Sequence, residues 1–353
     1  MSVRDLARPE ICALEPYSSA RTAAHGGSVL LNANESAWTP DGDEGVGCNR
    51  YPEPQPAELV AALTDLYAVR TEQLLVTRGS DDAIDLLVRA FCRAGVDAIL
   101  VQPPTFGMYA IWAQIQNAAV IDVPLAADFT LDVDAVLSAL VPAVKLVFVC
   151  APNNPTGQRV ALADVERLAC ALNDRALLVV DEAYVEFADV PSVGGLLDRH
   201  EHLVVLRTLS KAWALAGARI GSVLAHADVI SLLRHVMSPY PLPRPSVQAA
   251  LLALSNRGQA HARERIALVC TQRARMAKEL RYLPCVCEVL PSQANFLTVR
   301  FADASASYQR LLDGGIVVRD VRRYPGLGDA LRISIGSPLE NDLVLATLQE
   351  STS

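Results

Sequence analysis

Short apolar runs alternate with amphipathic stretches from residue 73 to residue 225. The runs read QLLVT (73–77), AILVQ (98–102), AVIDV (119–123), KLVFVCA (145–151), ALLVVDEA (176–183), LVVLRTL (203–209) and GSVLA (221–225). Such runs, rich in Val, Ile and Leu, predict strands buried on both faces of a sheet. Between them lie stretches such as DDAIDLLVRAFCRAG (81–95) and ALADVERLACALNDR (161–175), whose apolar positions recur at helical spacing. Strands separated by helices predict an α/β fold with a mostly parallel sheet covered on both sides.

The rhythm breaks at MSPYPLPRPS (237–246), where four prolines predict neither helix nor central strand. One long helix is expected over residues 247–283. The strand-like pieces NFLTVRF, GIVVRDV and LRISIG then predict a smaller α+β domain. The opening residues carry little periodicity. The expected division is therefore an N-terminal arm contributing to a dimer and to the small domain (1–45), a large domain (46–240) and a small C-terminal domain (241–353).

Composition adds limits. Hydrophobic residues make up 51% and charged residues 20% of 353, a globular balance, and the net charge of −8 argues against a nucleic-acid surface. The eight cysteines are scattered without metal-ligand spacing, so they read as small buried apolar groups in a reducing compartment, and no metal is expected. The N-terminus has no apolar signal region and no run approaches the ~18 residues of a membrane span. A cytoplasmic protein is the expectation. One detail of composition points to chemistry: of 31 basic residues only Lys145, Lys211 and Lys278 are lysine. An ammonium can lose its proton and become a nucleophile, which a guanidinium does not do. Lys145 leads a strand and Lys278 sits in a charged helix, both fitting a solvated surface. Lys211, among small and apolar neighbours in RTLSKAWALAGARIG, does not.

The remaining candidates follow the strands, where open α/β sheets bind their ligands. Gly79, Ser80 and Asp81 begin a helix, with Ser80 or Asp81 as its cap, and a helix start attracts anions. Asn154 lies in the turn PNNPTG and is either a turn former or a donor into the crevice. Asp181 ends an apolar strand, where an unpaired charge is costly; it is a salt-bridge partner, a cap, or the partner of a cationic ring nitrogen. Thr208, Ser210 and Arg219 flank Lys211 and suit a phosphate. Asp181 follows Asn154 by 27 residues and Lys211 follows Asp181 by 30. Nucleotide-binding, zinc-protease and serine-hydrolase signatures are missing from the sequence.

On PYSSAR, LNANES, YPEPQP, RGSDDAIDLLVRAFC, PPTFGMY, PNNPTGQ, DEAYVEF, LRTLSKAWALAGARIG, ANFLTVRF, VVRD and LRISIG, the chain resembles the fold-type I pyridoxal-phosphate (PLP) enzymes. Within them it looks like the histidinol-phosphate aminotransferases. The resemblance implies that Lys211 carries pyridoxal 5'-phosphate as a Schiff base and moves a proton. It implies that Asp181 pairs the ring nitrogen, that Asn154 and Tyr184 bond the 3′ oxygen, and that Phe106 stacks on the ring where the family often has Tyr. Ser80, Asp81, Thr208, Ser210 and Arg219 would surround the phosphate, with Tyr51 reaching it from a neighbouring subunit. Arg332 and Arg319 would hold the substrate anion, with Asn154 and the partner subunit's Tyr17 beside it. The implied reaction exchanges an amino group between histidinol phosphate with 2-oxoglutarate and imidazole-acetol phosphate with glutamate, in histidine biosynthesis, by a homodimer. The alternatives on this fold are an aromatic aminotransferase and a threonine-phosphate decarboxylase. A cofactor-binding regulator would need a DNA-binding module, and no helix-turn-helix pattern is visible.

Overall fold

In the computed structural model, which describes residues 2–15 and 29–349, seven strands form one sheet: β1 (Leu74–Thr77), β2 (Ala98–Val101), β3 (Ala119–Asp122), β4 (Val144–Cys150), β5 (Leu177–Asp181), β6 (Leu203–Thr208) and β7 (Gly221–Ala225). Their order is β1-β7-β6-β5-β4-β2-β3. Six run parallel; β7 lies between β1 and β6 and is antiparallel to both. Successive side chains of a strand point to opposite faces. Leu74, Val76, Val147, Val149, Leu178 and Val180 enter one apolar layer, while Leu75, Leu146, Phe148, Leu177 and Val179 enter the other. Helices cover both layers, as the runs predict, except that the run AVIDV gives an edge strand, β3, whose residues are exposed or half-buried.

The sheet's carboxyl edge is where the chemistry gathers. Asp181 is the last residue of β5, in register with Cys150 on β4, so the loops after β4, β5 and β6 leave one edge side by side. Because β7 is reversed, its first residue, Gly221, reaches the same edge, opposite Thr77 and Thr208.

A second sheet, order β10-β11-β9-β8, comprises β8 (Val286–Val289), β9 (Phe296–Phe301), β10 (Arg319–Asp320) and β11 (Ala330–Ser334), all antiparallel. Its core joins Leu297, Val299, Leu331 and Ile333 to Met276 and Leu280 of a long helix. Two expectations about the helices of this region need correction. The helix expected over 247–283 is two helices, Arg244–Leu254 and Asn256–Leu280, broken at Ser255. Ser255 turns extended (φ −60°, ψ 159°) and its hydroxyl accepts from Gly258 N, a capping bond that a continuous helix lacks. The proline-rich stretch also reaches into a helix, because Pro245 occupies the first turn, where a missing N–H costs nothing. Near the N-terminus, Val3, Leu6 and Ile11 pack into the layer that also holds Val229 and Ile230. Among the described residues no helix is long and apolar enough to cross a membrane.

Candidate active site

One cavity on the carboxyl edge is lined by Ser80, Asp81, Phe106, Asn154, Asp181, Tyr184, Thr208, Ser210, Lys211 and Arg219. Ten of the sequence candidates therefore converge, although they come from five different strand ends. Cys150, Ala183 and Ala216 complete the lining.

The floor is Asp181, only 2% exposed. Its Oδ2 accepts from the Tyr109 hydroxyl at 2.8 Å and its Oδ1 from Ala183 N at 3.1 Å. Burial pushes its carboxyl up to about 6, against the lowering effect of those two hydrogen bonds. Its neighbour Glu182 points the other way, into a closed set of partners: Ser192 Oγ at 2.5 Å, Val193 N at 2.7 Å and the buried Arg207 at 3.4 Å. Of the two adjacent acids, Asp181 thus faces the cavity and Glu182 the scaffold.

Lys211 stands three residues past β6, open to the cavity, with Nζ 5.7 Å from the centre of the Tyr184 ring. Burial, then the Arg332 charge, lower its ammonium pKa, which favours the free amine. Arg332 on β11 donates to Asn154 Oδ1, so a residue of the second sheet closes on a loop of the first, 178 positions away in sequence. Its guanidinium lies 5.1 Å from the Phe296 ring centre. Its Nε is buried without a protein partner, which leaves a donor for a ligand.

The end of the cavity near β1 is shaped for an oxyanion. The helix Ser80–Phe91 starts after Gly79, which is the N-cap in place of the expected Ser80 or Asp81. Gly79 has φ 81° and no side chain, so the first-turn N–H groups stay uncapped. Arg219, itself left-handed at φ 57°, lays its guanidinium against this turn; a Cβ on Gly79 would come within 2.6 Å of it. A Cβ on Gly221 would meet the Gly79 carbonyl carbon at 2.4 Å. The Thr208 and Ser210 hydroxyls are 2.9 Å apart, and Arg219 reaches Asp81 Oδ2 at 3.4 Å. The donor set fits pyridoxal phosphate: a helix start, two hydroxyls and an Arg for its phosphate, a buried acid for its ring nitrogen, and an amine for its aldehyde.

Two candidates lie elsewhere, and a third is not described. Tyr51 is exposed and stacks on Tyr240, with ring centres 4.4 Å apart, outside this cavity. Arg319 pairs in register with Arg332 across β10 and β11 but lines a neighbouring surface hollow with Arg323 and Tyr324. Tyr17 falls outside the described residues. Tyr109, by contrast, escaped the sequence reading. It is in the quoted PPTFGMY, three positions after Phe106, but a tyrosine in an apolar helix start reads as core.

The family model for aminotransferase class I and II matches residues 29–348. The histidinol-phosphate aminotransferase of Stenotrophomonas maltophilia (strain R551-3) is 54% identical over 347 residues, covering 97% of this chain and 95% of that protein. The enzyme of the same name from Xanthomonas euvesicatoria pv. vesicatoria (strain 85-10) is 52% identical over 354 residues, covering 99% and 98%. The structure of histidinol-phosphate aminotransferase from Sinorhizobium meliloti in complex with pyridoxal-5'-phosphate superposes with a TM-score of 0.79 at 27% identity, covering 90% of this chain and 89% of that one.

Proposed function

This chain belongs to the class I and II aminotransferases, in the branch of the histidinol-phosphate aminotransferases, and on that premise we propose that it exchanges an amino group between histidinol phosphate and 2-oxoglutarate. The products are imidazole-acetol phosphate and glutamate, and the reaction serves histidine biosynthesis. The observation that carries this reading is the junction of Arg332 with Asn154 beside Lys211, which sets a substrate-anion fork next to a reactive amine. When bound, pyridoxal phosphate supplies an aldehyde that takes up the substrate's amine and a ring that withdraws electrons from the carbon bearing it.

The side chains do the rest. Lys211 Nζ would take the proton from that carbon and give it back, and its lowered pKa leaves more free amine near neutral pH. Asp181 would pair with the ring nitrogen and keep it protonated, and Asn154 and Tyr184 would bond the ring's 3′ oxygen. Phe106 would pack against the ring. Ser80, Thr208, Ser210 and Arg219 would hold the phosphate, with Asp81 orienting Arg219. Arg332 offers a planar two-point donor that accepts a carboxylate or a phosphate ester in turn. Arg319, its cross-strand partner, adds charge that a phosphate dianion rewards more. The partner subunit's Tyr51 and Tyr17 complete the site of a cytoplasmic homodimer. The outward position of Tyr51 supports that role. The same reading divides the chain at about residues 45 and 240.

A donor panel tests it. Histidinol phosphate with 2-oxoglutarate should yield glutamate far faster than dephosphorylated histidinol or aromatic amino acids do, without release of carbon dioxide. Equal rates with dephosphorylated histidinol would replace this assignment with the aromatic aminotransferase, and carbon dioxide from threonine phosphate with the decarboxylase.

A further inference from the structure

We infer that Tyr109 is a positioning residue for Asp181: its hydroxyl fixes the carboxylate that would pair with the cofactor's ring nitrogen while its ring supports Phe106, so one side chain braces two walls of the cavity. The inference rests on the reading of this cavity as a pyridoxal-phosphate site.

The geometry is specific. Tyr109 is the second residue of the helix Met108–Ile115 and is 1% exposed. Its ring stacks on Phe148 of β4 at 4.7 Å and 13°, which fixes the ring plane. Its face or edge meets Phe106 at 5.5 Å and 84°, the T-shaped arrangement that aromatic pairs favour. Held between two aromatics, the phenol directs its hydroxyl to Asp181 Oδ2 at 2.8 Å. Ala183 N holds the other oxygen at 3.1 Å, so both carboxylate oxygens are tied from within the protein. With both tied, the carboxylate plane is set before a ligand arrives.

A phenylalanine at 109 would satisfy Phe148 and Phe106 equally well. The hydroxyl must therefore be explained by what it touches. The other titratable groups facing Asp181 are Cys150 from β4, Tyr184 just past β5, Asp81 from the helix Ser80–Phe91 and Lys211 past β6. Asp81 opposes ionisation of Asp181 and Lys211 favours it. Tyr109 is the one side chain among these that donates a hydrogen bond to the carboxylate. Burial raises the pKa of the phenol itself well above its ordinary value, so it remains a donor throughout the working range of pH. Removal of the hydroxyl leaves a 2%-exposed carboxylate with one donor in place of two, and its protonated form gains.

The test is reconstitution of the apoprotein with pyridoxal 5'-phosphate, followed by absorbance, for wild type, Tyr109→Phe, Asp181→Asn and the double variant. Tyr109→Phe should weaken cofactor binding about 10- to 100-fold, the range for a hydrogen bond to a charged group. The pH below which binding fades should move upward, because the ionised carboxylate is harder to form without its donor. In the Asp181→Asn background the same change should cost less than about threefold, since no charge remains to be held. Equal losses in both backgrounds would reduce Tyr109 to a packing residue and overturn the inference. So would unchanged affinity and pH dependence in Tyr109→Phe. If wild-type protein itself fails to bind the cofactor, it is the reading of the site that fails.

Discussion

Asp181→Asn should make the cofactor-free protein more stable while impairing the loaded one. Burial holds the Asp181 carboxyl near 6 against an ordinary value of 3.8. A tenfold change in a proton equilibrium is worth about 1.36 kcal/mol, so the displacement amounts to about 3 kcal/mol. The sign follows from proton counting. Between pH 3.8 and about 6 the folded apoprotein keeps a proton that the unfolded chain has released. Stability therefore falls as pH rises through that window and is flat, at its lower level, above it. Asparagine has the shape of the protonated acid and no charge to strand. Its Oδ1 can keep the Ala183 N–H, and its amide can donate to the Tyr109 oxygen. Urea unfolding of both apoproteins at intervals from pH 4 to pH 8 should give nearly equal stabilities at pH 4. At pH 7 and above the variant should lead by about 3 kcal/mol. A gap that does not change with pH, or a variant less stable at pH 7, would refute the reasoning. Affinity for pyridoxal phosphate should change in the opposite sense, because on the proposed reading the ring nitrogen would meet the buried charge.

Other substitutions probe the remaining parts. Lys211→Arg should preserve charge yet cut single-turnover transamination by about 100-fold or more, as loss of a proton-transfer group does, and borohydride should no longer fix the cofactor to the chain. Phe106→Ala should weaken cofactor retention by a few-fold to about tenfold, equivalent to the ~0.5–1.5 kcal/mol of a ring stack, while Phe106→Tyr should change it little by equilibrium dialysis. Gly221→Ala should lower both thermal stability and cofactor affinity, by about 1–3 kcal/mol in stability, because its methyl would press on the Gly79 backbone at 2.4 Å. Arg332→Lys should slow both half-reactions, whereas Arg319→Ala should slow the histidinol-phosphate one more than the glutamate one, each read from its own absorbance change.

Much of the fold was legible because strands buried on both faces must be apolar throughout. For the same reason their order and direction were not. GSVLA reads like its neighbours, yet β7 is the one strand of the large sheet that runs backward. Direction is set by where the loop around Arg219 turns, and a residue at φ 57° that is not glycine gives no warning in the sequence. The expected strand GIVVRDV shrank to Arg319–Asp320, since an edge position gives few partners to bond. In the cavity, Asn154, Asp181 and Lys211 stood out because polar groups directly after apolar strands are costly unless used. Tyr109 did not, because a phenol buried among aromatics is what a core supplies anyway; only its hydroxyl, aimed at Asp181, distinguishes it. The Arg332–Asn154 junction joins two sheets, and no local pattern reports such a meeting.

The backward strand also fixes when, during synthesis, this protein can first capture a small molecule. β7 is the last strand of the large sheet to leave the ribosome, yet it seats the first one, since β1 has no other neighbour in the sheet. Until Gly221 lies between Thr77 and Thr208, the helix start at Ser80 and the guanidinium of Arg219 belong to separate parts of the nascent chain. Pairings so distant in sequence form slowly. A nascent chain that stops between Lys211 and Arg219 would already carry Lys211, Asp181 and Asn154 and still lack the cradle for the phosphate. Pyridoxal phosphate would then act as a late inspector of assembly, binding chains whose sheet has closed and holding them closed by mass action.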